Sequence, residues 1–220
     1  MNPDKMELYT YWRSSAAYRV RIALNLKDLA FESIPIHLLR GGGEQYGTSY
    51  RSINPQGLVP TLVHGGKVIT QSMAICEYLE ECFPHPPLLP TGPEARSRIR
   101  SLALQIACEI HPLNNLRVQK YLDAICGKAV DKVGWMQHWM SSGFEVVEQQ
   151  LASYGNGGLT CLGGNPGLFE CFLVPQVYNA ERYGVEMAEY PRISGIVKYC
   201  RSLPAFARAA PEAQADAVVK

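Results

Sequence analysis

The stretch between residues 84 and 93 divides this chain into two parts of different pattern. Pro84-His85-Pro86-Pro87 and Pro90-Thr91-Gly92-Pro93 interrupt any continuous helix or strand there. Before them, apolar runs of strand length alternate with helical periodicity. After them, strand signals stop. That asymmetry narrows the fold to a mixed α/β domain over residues 1–87, followed by an all-α domain over residues 88–220. A chain of 220 residues is long enough for one sizeable core or two smaller ones.

Within the first part, Glu7 to Trp12 reads as a strand and Ala16 to Lys27 as a helix. Val20, Ala23, Leu24 and Lys27 recur at helical spacing, with the Lys27 stem covering the edge of the stripe. Phe31 to Ile36 alternates as a short strand, and Gly41-Gly42-Gly43 marks a loop. Thr61–His64 and Lys67–Thr70 flank Gly65-Gly66, a two-residue hairpin signal. Ser72 starts a helix that runs through Ile75, Leu79 and Phe83. The order βαβ then ββα is the thioredoxin-like layout. In the second part, Ile99, Leu102, Ala103, Ile106 and Ile110 form one helical stripe, and Val133, Met136, Met140, Val147 and Leu151 form another. Pro112 should kink the first. Leu168 to Tyr183 and Ile193 to Cys200 read as further helices.

Composition excludes several function classes. The hydrophobic fraction of 47% is ordinary for a globular chain, and a net charge of +1 exerts no long-range pull on nucleic acid or anionic membranes. No apolar run approaches membrane-spanning length, and Met1-Asn2-Pro3-Asp4-Lys5 lacks a signal-peptide pattern, so the expected compartment is the cytoplasm. The seven cysteines contain no Cys-x-x-Cys pair. Cys76, Cys82, Cys108, Cys171 and Cys200 fall in helical patterns and are expected as small buried groups, not as a disulfide framework. The five histidines are scattered, and none has zinc spacing with cysteine, so no metal is expected.

Ser14 and Ser15 stand where the first strand ends and the first helix begins. Unpaired N–H groups and the positive end of the helix dipole meet there, and both stabilise an anion. In thioredoxin-like chains that position carries a Cys-x-x-Cys pair. Here the matching residues are Ser and Ala, so a thiol used at this place would arrive on a ligand.

The chain resembles zeta-class glutathione transferases of the bacterial maleylacetoacetate isomerase type over nearly its whole length. The resemblance rests on Arg13-Ser14-Ser15 with Tyr18-Arg19-Val20-Arg21-Ile22-Ala23-Leu24, and on Asn54-Pro55-Gln56-Gly57-Leu58-Val59-Pro60-Thr61-Leu62. Gln71-Ser72-Met73-Ala74-Ile75-Cys76-Glu77 follows, then His111-Pro112-Leu113-Asn114-Asn115-Leu116 and Val174-Pro175-Gln176-Val177-Tyr178-Asn179-Ala180-Glu181-Arg182. Two positions depart from the family. Many members carry Cys where this chain has Ala16, and Phe169-Glu170 replaces the usual Ala-Asp at the start of a buried helix.

The resemblance implies a glutathione transferase fold and a glutathione-dependent cis–trans isomerase. It would act on maleylacetoacetate in tyrosine and phenylalanine breakdown, as a homodimer. Maleylpyruvate isomerase, a general glutathione conjugator and a non-catalytic binding module are the alternatives. It implies that Val59 pairs its peptide groups with the cysteinyl part of glutathione beside a cis Pro60. Gln71 and Ser72 would take the γ-glutamyl carboxylate, and Gln45 the glycyl end. Of Ser14 and Ser15, one caps the helix and the other donates to sulfur, and Ser14 is assigned to sulfur. His111 and Asn115 would face the ligands, and Arg182 would clamp a carboxylate of a small diacid substrate. Each residue also has an ordinary structural use: Ser72 as a helix cap, His111 as a boundary histidine, Arg182 as a partner of the last helical carbonyls.

Overall fold

A computed structural model of the chain describes residues 5–154, 158–161 and 164–217; of Lys128 it describes only the backbone. Residues 1–4, read above for a leader pattern, lie outside the described residues. The chain forms two compact units, Met1–Leu88 with Ser202–Lys220, and Leu89–Arg201.

The first unit is built on a four-stranded sheet in the order β2-β1-β3-β4. Its elements are β1 (Met6–Thr10), α1 (Ser15–Leu26), β2 (Glu32–Pro35), the single turn α2 (Thr48–Arg51), β3 (Thr61–His64), β4 (Lys67–Thr70) and α3 (Ser72–Cys82). β1 pairs in parallel with β2 and antiparallel with β3, and β3 with β4. The parallel pair is joined by α1, as a crossover connection requires. Gly65 and Gly66 take φ of +54° and +81°, the left-handed pair that a tight hairpin needs. Glu7 lies directly opposite Glu32. Lys5 Nζ reaches both carboxylates, at 2.6 and 2.9 Å, and offsets their repulsion.

The central apolar layer holds Leu8 and Leu62 from the sheet, Val20, Ile22 and Leu24 from α1, and Ile75 and Leu79 from α3, all fully buried. Lys27 does more than cover an edge. Its side chain is wholly buried, and Nζ donates to Glu80 Oε2 at 2.8 Å, Phe83 O at 2.6 Å and Pro86 O at 2.9 Å.

In the second unit, α4 (Pro93–Leu104) passes into a π turn (Gln105–Ile110) and a 3-10 turn (His111–Asn114) before α5 (Leu116–Cys126). Pro112 has no N–H to continue an α-helix, and the regular helix gives way around it. α6 (Lys132–Ser153), α7 (Leu168–Arg182) and α8 (Pro191–Arg201) complete this unit. α7 is its axis and is buried from Leu168 to Val177. Glu170 starts it well. Its carboxylate accepts Gly167 N and Cys161 N, each at 2.8 Å, so the acid closes the open end of the helix. Burial pushes the Glu170 carboxyl upward, against those amide donors.

Three expectations need correction. Cys82 and Cys108 are exposed: Cys108 lies on the side away from Ile106 and Ile110, and Cys82 is the last residue of α3, at the open end of the stripe Ile75–Leu79. Val133, in the first turn of α6, is half exposed while Met136, Met140, Val147 and Leu151 are buried. The final helix, α9 (Pro204–Ala209), groups with the first unit and packs on α1, whereas the sequence reading assigned it to the helical domain.

Candidate functional site

Ser14 is the N-cap of α1, with φ −71° and ψ 116°. Its Oγ accepts the Ala17 N–H at 3.2 Å, its carbonyl accepts Tyr18 N at 2.9 Å, and its own N–H donates to Tyr11 O at 2.9 Å. The sequence reading assigned the cap to one serine and sulfur to the other, with Ser14 on sulfur, whereas Ser14 is itself the cap. A hydroxyl that accepts from the helix end still has a proton to donate, so one oxygen can serve both uses. Ser15 is the first helical residue, half-buried, and its Oγ has no hydrogen-bond partner among the described residues. No acidic residue occupies the first turn, and Arg19 and Arg21 are buried further along the same helix. The first turn of α1 therefore keeps the positive end of its dipole free of any acidic side chain of its own.

The protein's own buried sulfurs are unsuited to react. Burial pushes the Cys76 and Cys161 thiols up to about 12, and Cys200 higher still. Tyr9 and Tyr11, which precede the serines, are engaged in packing. Burial raises the Tyr9 phenol, whose ring lies 5.7 Å from that of Tyr50, and Tyr11 is buried.

An apolar cluster of Tyr11, Tyr50 and Val59, with Tyr9, Trp12, Ile36 and Leu38 against it, joins the segments that bear candidate residues. Val59 precedes a cis peptide to Pro60. Its N–H and C=O have no hydrogen-bond partner among the described residues and lie just outside β3. The loop that carries it is held rigidly. Asn54 Nδ2 donates to Leu58 O at 2.9 Å and Thr61 Oγ1 at 3.0 Å, Asn54 Oδ1 accepts Gln56 N at 3.1 Å, and Tyr50 Oη donates to Leu58 O at 2.6 Å.

Gln45 is buried and its Nε2 donates to Leu38 O at 3.3 Å, while its buried Oε1 has no partner among the described residues. Gly43 makes room for that amide, since a Cβ there would lie 2.6 Å from Nε2. Gln71 precedes α3 with φ +70° and ψ 121°, a conformation that costs a non-glycine residue about 1–3 kcal/mol. Its Nε2 donates to Gln56 Oε1 at 2.8 Å. Ser72 opens α3 with its side chain buried, and Arg19 Nη1 donates to its Oγ at 3.2 Å. Ser72 is therefore tied to α1, and Gln71 to the Val59 loop. Val59 packs with Tyr11 and Trp12, which lead into Ser14, and Leu38, which accepts from Gln45, lies against the same cluster.

In the second unit, His111 begins the 3-10 turn, and Asn115 caps α5 with Oδ1 accepting Arg117 N at 3.0 Å. Arg182 ends α7 exposed, with Nη1 3.4 Å from Asn179 Oδ1 and Cζ 5.6 Å from the centre of the Tyr183 ring. The buried Gln176 Nε2 reaches Asn114 Oδ1 at 3.4 Å and links α7 to the turn that carries His111.

Sequence reasoning overlooked the Tyr50–Asn54–Thr61 network and the role of Arg21. The first had a signal in Asn54-Pro55-Gln56-Gly57, whose Asn and Gly mark a turn that needs side-chain support. The second had one in a charged residue within an apolar helical run.

Residues 13–82 match the family model described as the glutathione S-transferase N-terminal domain. A probable maleylacetoacetate isomerase of Vibrio cholerae is 49% identical over 96% of this chain and 97% of its own. A solved holo structure of a bacterial maleylpyruvate isomerase, a zeta-class glutathione S-transferase, superposes with a TM-score of 0.92 at 42% identity, covering 96% of this chain and all of that one. A maleylacetoacetate isomerase of Methylobacterium extorquens, solved with malonate and glutathione bound, gives a TM-score of 0.91 at 37% identity, over 97% of this chain and all of that one. With such agreement along both units, the chain belongs to the maleylacetoacetate isomerase family of zeta-class glutathione S-transferases.

Proposed function

We propose that this chain is a glutathione-dependent cis–trans isomerase whose substrate is maleylacetoacetate. The carrying observation is the end of α1: an electropositive helix N-terminus with two hydroxyls and no sulfur of its own. The residues suit glutathione. Val59 offers an open peptide N–H and C=O to the cysteinyl backbone, as an added strand would. Gln71 and Ser72 at the start of α3 suit the γ-glutamyl carboxylate, and the orphaned Gln45 Oε1 suits a donor at the glycyl end. His111 and Asn115 complete the set that would face the ligands.

When bound, glutathione supplies a thiolate that adds reversibly to the alkene, so that the double bond becomes a rotatable single bond. Ser14 holds that sulfur ionised by donating its hydroxyl proton, and Ser15 supports it from the first turn. Arg182 grips one substrate carboxylate through its planar guanidinium, with Asn179 and Tyr183 restraining the fork.

Malonate beside glutathione in the Methylobacterium relative supports a small diacid as substrate class. The name of the bacterial holo relative keeps maleylpyruvate as the second substrate to test. We also propose a homodimer in the cytoplasm, acting in tyrosine and phenylalanine breakdown. Light scattering on the purified chain tests the dimer.

The central test is an ultraviolet assay of maleylacetoacetate conversion with and without glutathione, repeated with maleylpyruvate. Conversion should require glutathione and favour maleylacetoacetate. A rate indifferent to glutathione ends this reading. The Arg182→Ala variant should lose about 10- to 150-fold in kcat/KM for the diacid, the worth of a charge-assisted bond, while conjugation of a neutral electrophile falls far less. Equal losses in both assays would remove the clamp.

A further inference from the structure

The turn that leads into Ser14 is held by the far end of the chain. Trp12 N donates to Asp216 Oδ2 at 3.0 Å, and Trp12 O accepts Arg21 Nη2 at 2.9 Å. Arg21 Nη1 also donates to Thr10 Oγ1 at 3.0 Å and Tyr11 O at 3.4 Å, and its Nε donates to Ala209 O at 3.0 Å. Tyr11 O in turn accepts the N–H of Ser14. The polar backbone groups of Trp12 thus have partners that belong to the C-terminal segment or are themselves fastened to it. That segment is a fixed body. Phe206 and Ala209 are fully buried, Asn25 Nδ2 donates to Ala205 O at 3.0 Å, and Gln214 Nε2 donates to Arg208 O and Ala210 O, both at 2.9 Å.

We propose that the C-terminal segment is a strap on the thiolate turn, with Asp216 as a positioning residue that sets the aim of the Ser14 hydroxyl. The proposal rests on the isomerase reading above. A loop held by water alone can shift by tenths of an ångström. A hydrogen bond to a thiolate needs its donor placed within about half an ångström, so the bond at Trp12 N transmits to the chemistry. Arg21 carries the mechanical load of the carbonyl side, and Asp216 that of the amide side. Asp216 also bears a negative charge close to Arg21, and the two charges offset each other at the turn. Removing the carboxylate charge alone would favour an anion nearby. Losing the hydrogen bond would disfavour it. The two effects have opposite signs and separate cleanly.

The test uses the full chain with Asp216→Ala, Asp216→Asn and Asp216→Glu. The readouts are the ultraviolet thiolate absorbance of bound glutathione against pH, and kcat and KM for maleylacetoacetate. Asp216→Ala should raise the apparent thiol pKa by about half a unit or more and lower kcat about 3- to 30-fold with little change in KM, the mark of lost alignment. Asp216→Asn keeps an acceptor for Trp12 N and should stay within about twofold of the parent. Asp216→Glu keeps the charge but lengthens the arm by one methylene, and should behave like Ala. It carries the test if the alanine variant does not fold. A parental pH profile and kcat in a folded Ala or Glu variant overturns the strap. If the unsubstituted chain binds glutathione without lowering its thiol pKa, both the isomerase reading and the strap fall. A lowering that keeps its full parental size in Asp216→Ala and Asp216→Glu removes the strap alone.

Discussion

Lys27→Met should destabilise the chain by about 3–5 kcal/mol, read as a lower urea midpoint at constant slope. An ammonium has three protons, and in this structure all three find acceptors within 2.9 Å: Glu80 Oε2, Phe83 O and Pro86 O. Methionine fills the stem's volume but leaves those acceptors in a site where the Lys27 side chain itself is 0% exposed. Glu80 Oε2 would still accept the Leu88 N–H at 2.8 Å but would lose the ammonium that balances its charge. The lysine therefore fastens α1 to α3 and to the proline-rich stretch after it. Glu80→Gln should be milder, because the amide oxygen can still accept from both Leu88 and Lys27. The pair of changes should cost less than their sum, since each removes one charge of the same buried ion pair. A loss below about 1 kcal/mol for Lys27→Met would match a solvated pair and contradict the burial seen here.

Lys27 also marks the limit of what a sequence pattern can say. Its helical spacing with Val20, Ala23 and Leu24 placed it at the stripe, and periodicity carries no information about a charge partner 53 positions away. The same holds for Arg21 and Asp216, whose meeting place at Trp12 spans 204 positions. Short-range features were legible. The Gly65-Gly66 hairpin, the entry to α1 at Ser14 and the break at Pro112 follow from local φ/ψ and hydrogen-bond needs. So was the cis bond between Val59 and Pro60, but through the family pattern and not through physics alone. The placement of α9 was illegible for a definite reason. Its buried faces, Phe206 and Ala209, suit any apolar groove, and the choice of α1 as partner rests on Asn25 and Arg21 donating to its carbonyls. Cys108 was misplaced because a cysteine is small enough for either side of a helix and its phase sets it away from Ile106 and Ile110, and Cys82 because a stripe does not show where its helix ends.

Ser14→Ala should raise the apparent pKa of bound glutathione by about one to two units and lower turnover at neutral pH in proportion. The size follows from the interactions lost. A free cysteinyl thiol ionises near about 8.5, and each unit of lowering represents about 1.4 kcal/mol. A hydrogen bond to a charged acceptor contributes about 1.5–3 kcal/mol. The helix end adds about 0.3–1 kcal/mol and survives the substitution. The alanine variant also loses a cap, at a cost of about 1 kcal/mol in stability, because Oγ no longer accepts Ala17 N. Two further variants separate these effects. Ser14→Thr retains both oxygen and proton, and should restore the cap and most of the pH profile. Ser14→Asp accepts from Ala17 as well as serine does, yet has no proton to give at neutral pH and sets a like charge beside the thiolate. It should keep the parent's stability and be the poorest catalyst of the three. Ser15→Ala leaves the cap untouched and should move the profile less than Ser14→Ala, because Ser15 stands on the first turn and not at its open end. The reverse ranking, with Ser15→Ala shifting the pH profile and Ser14→Ala lowering stability alone, would transfer the sulfur to Ser15 and leave Ser14 a cap.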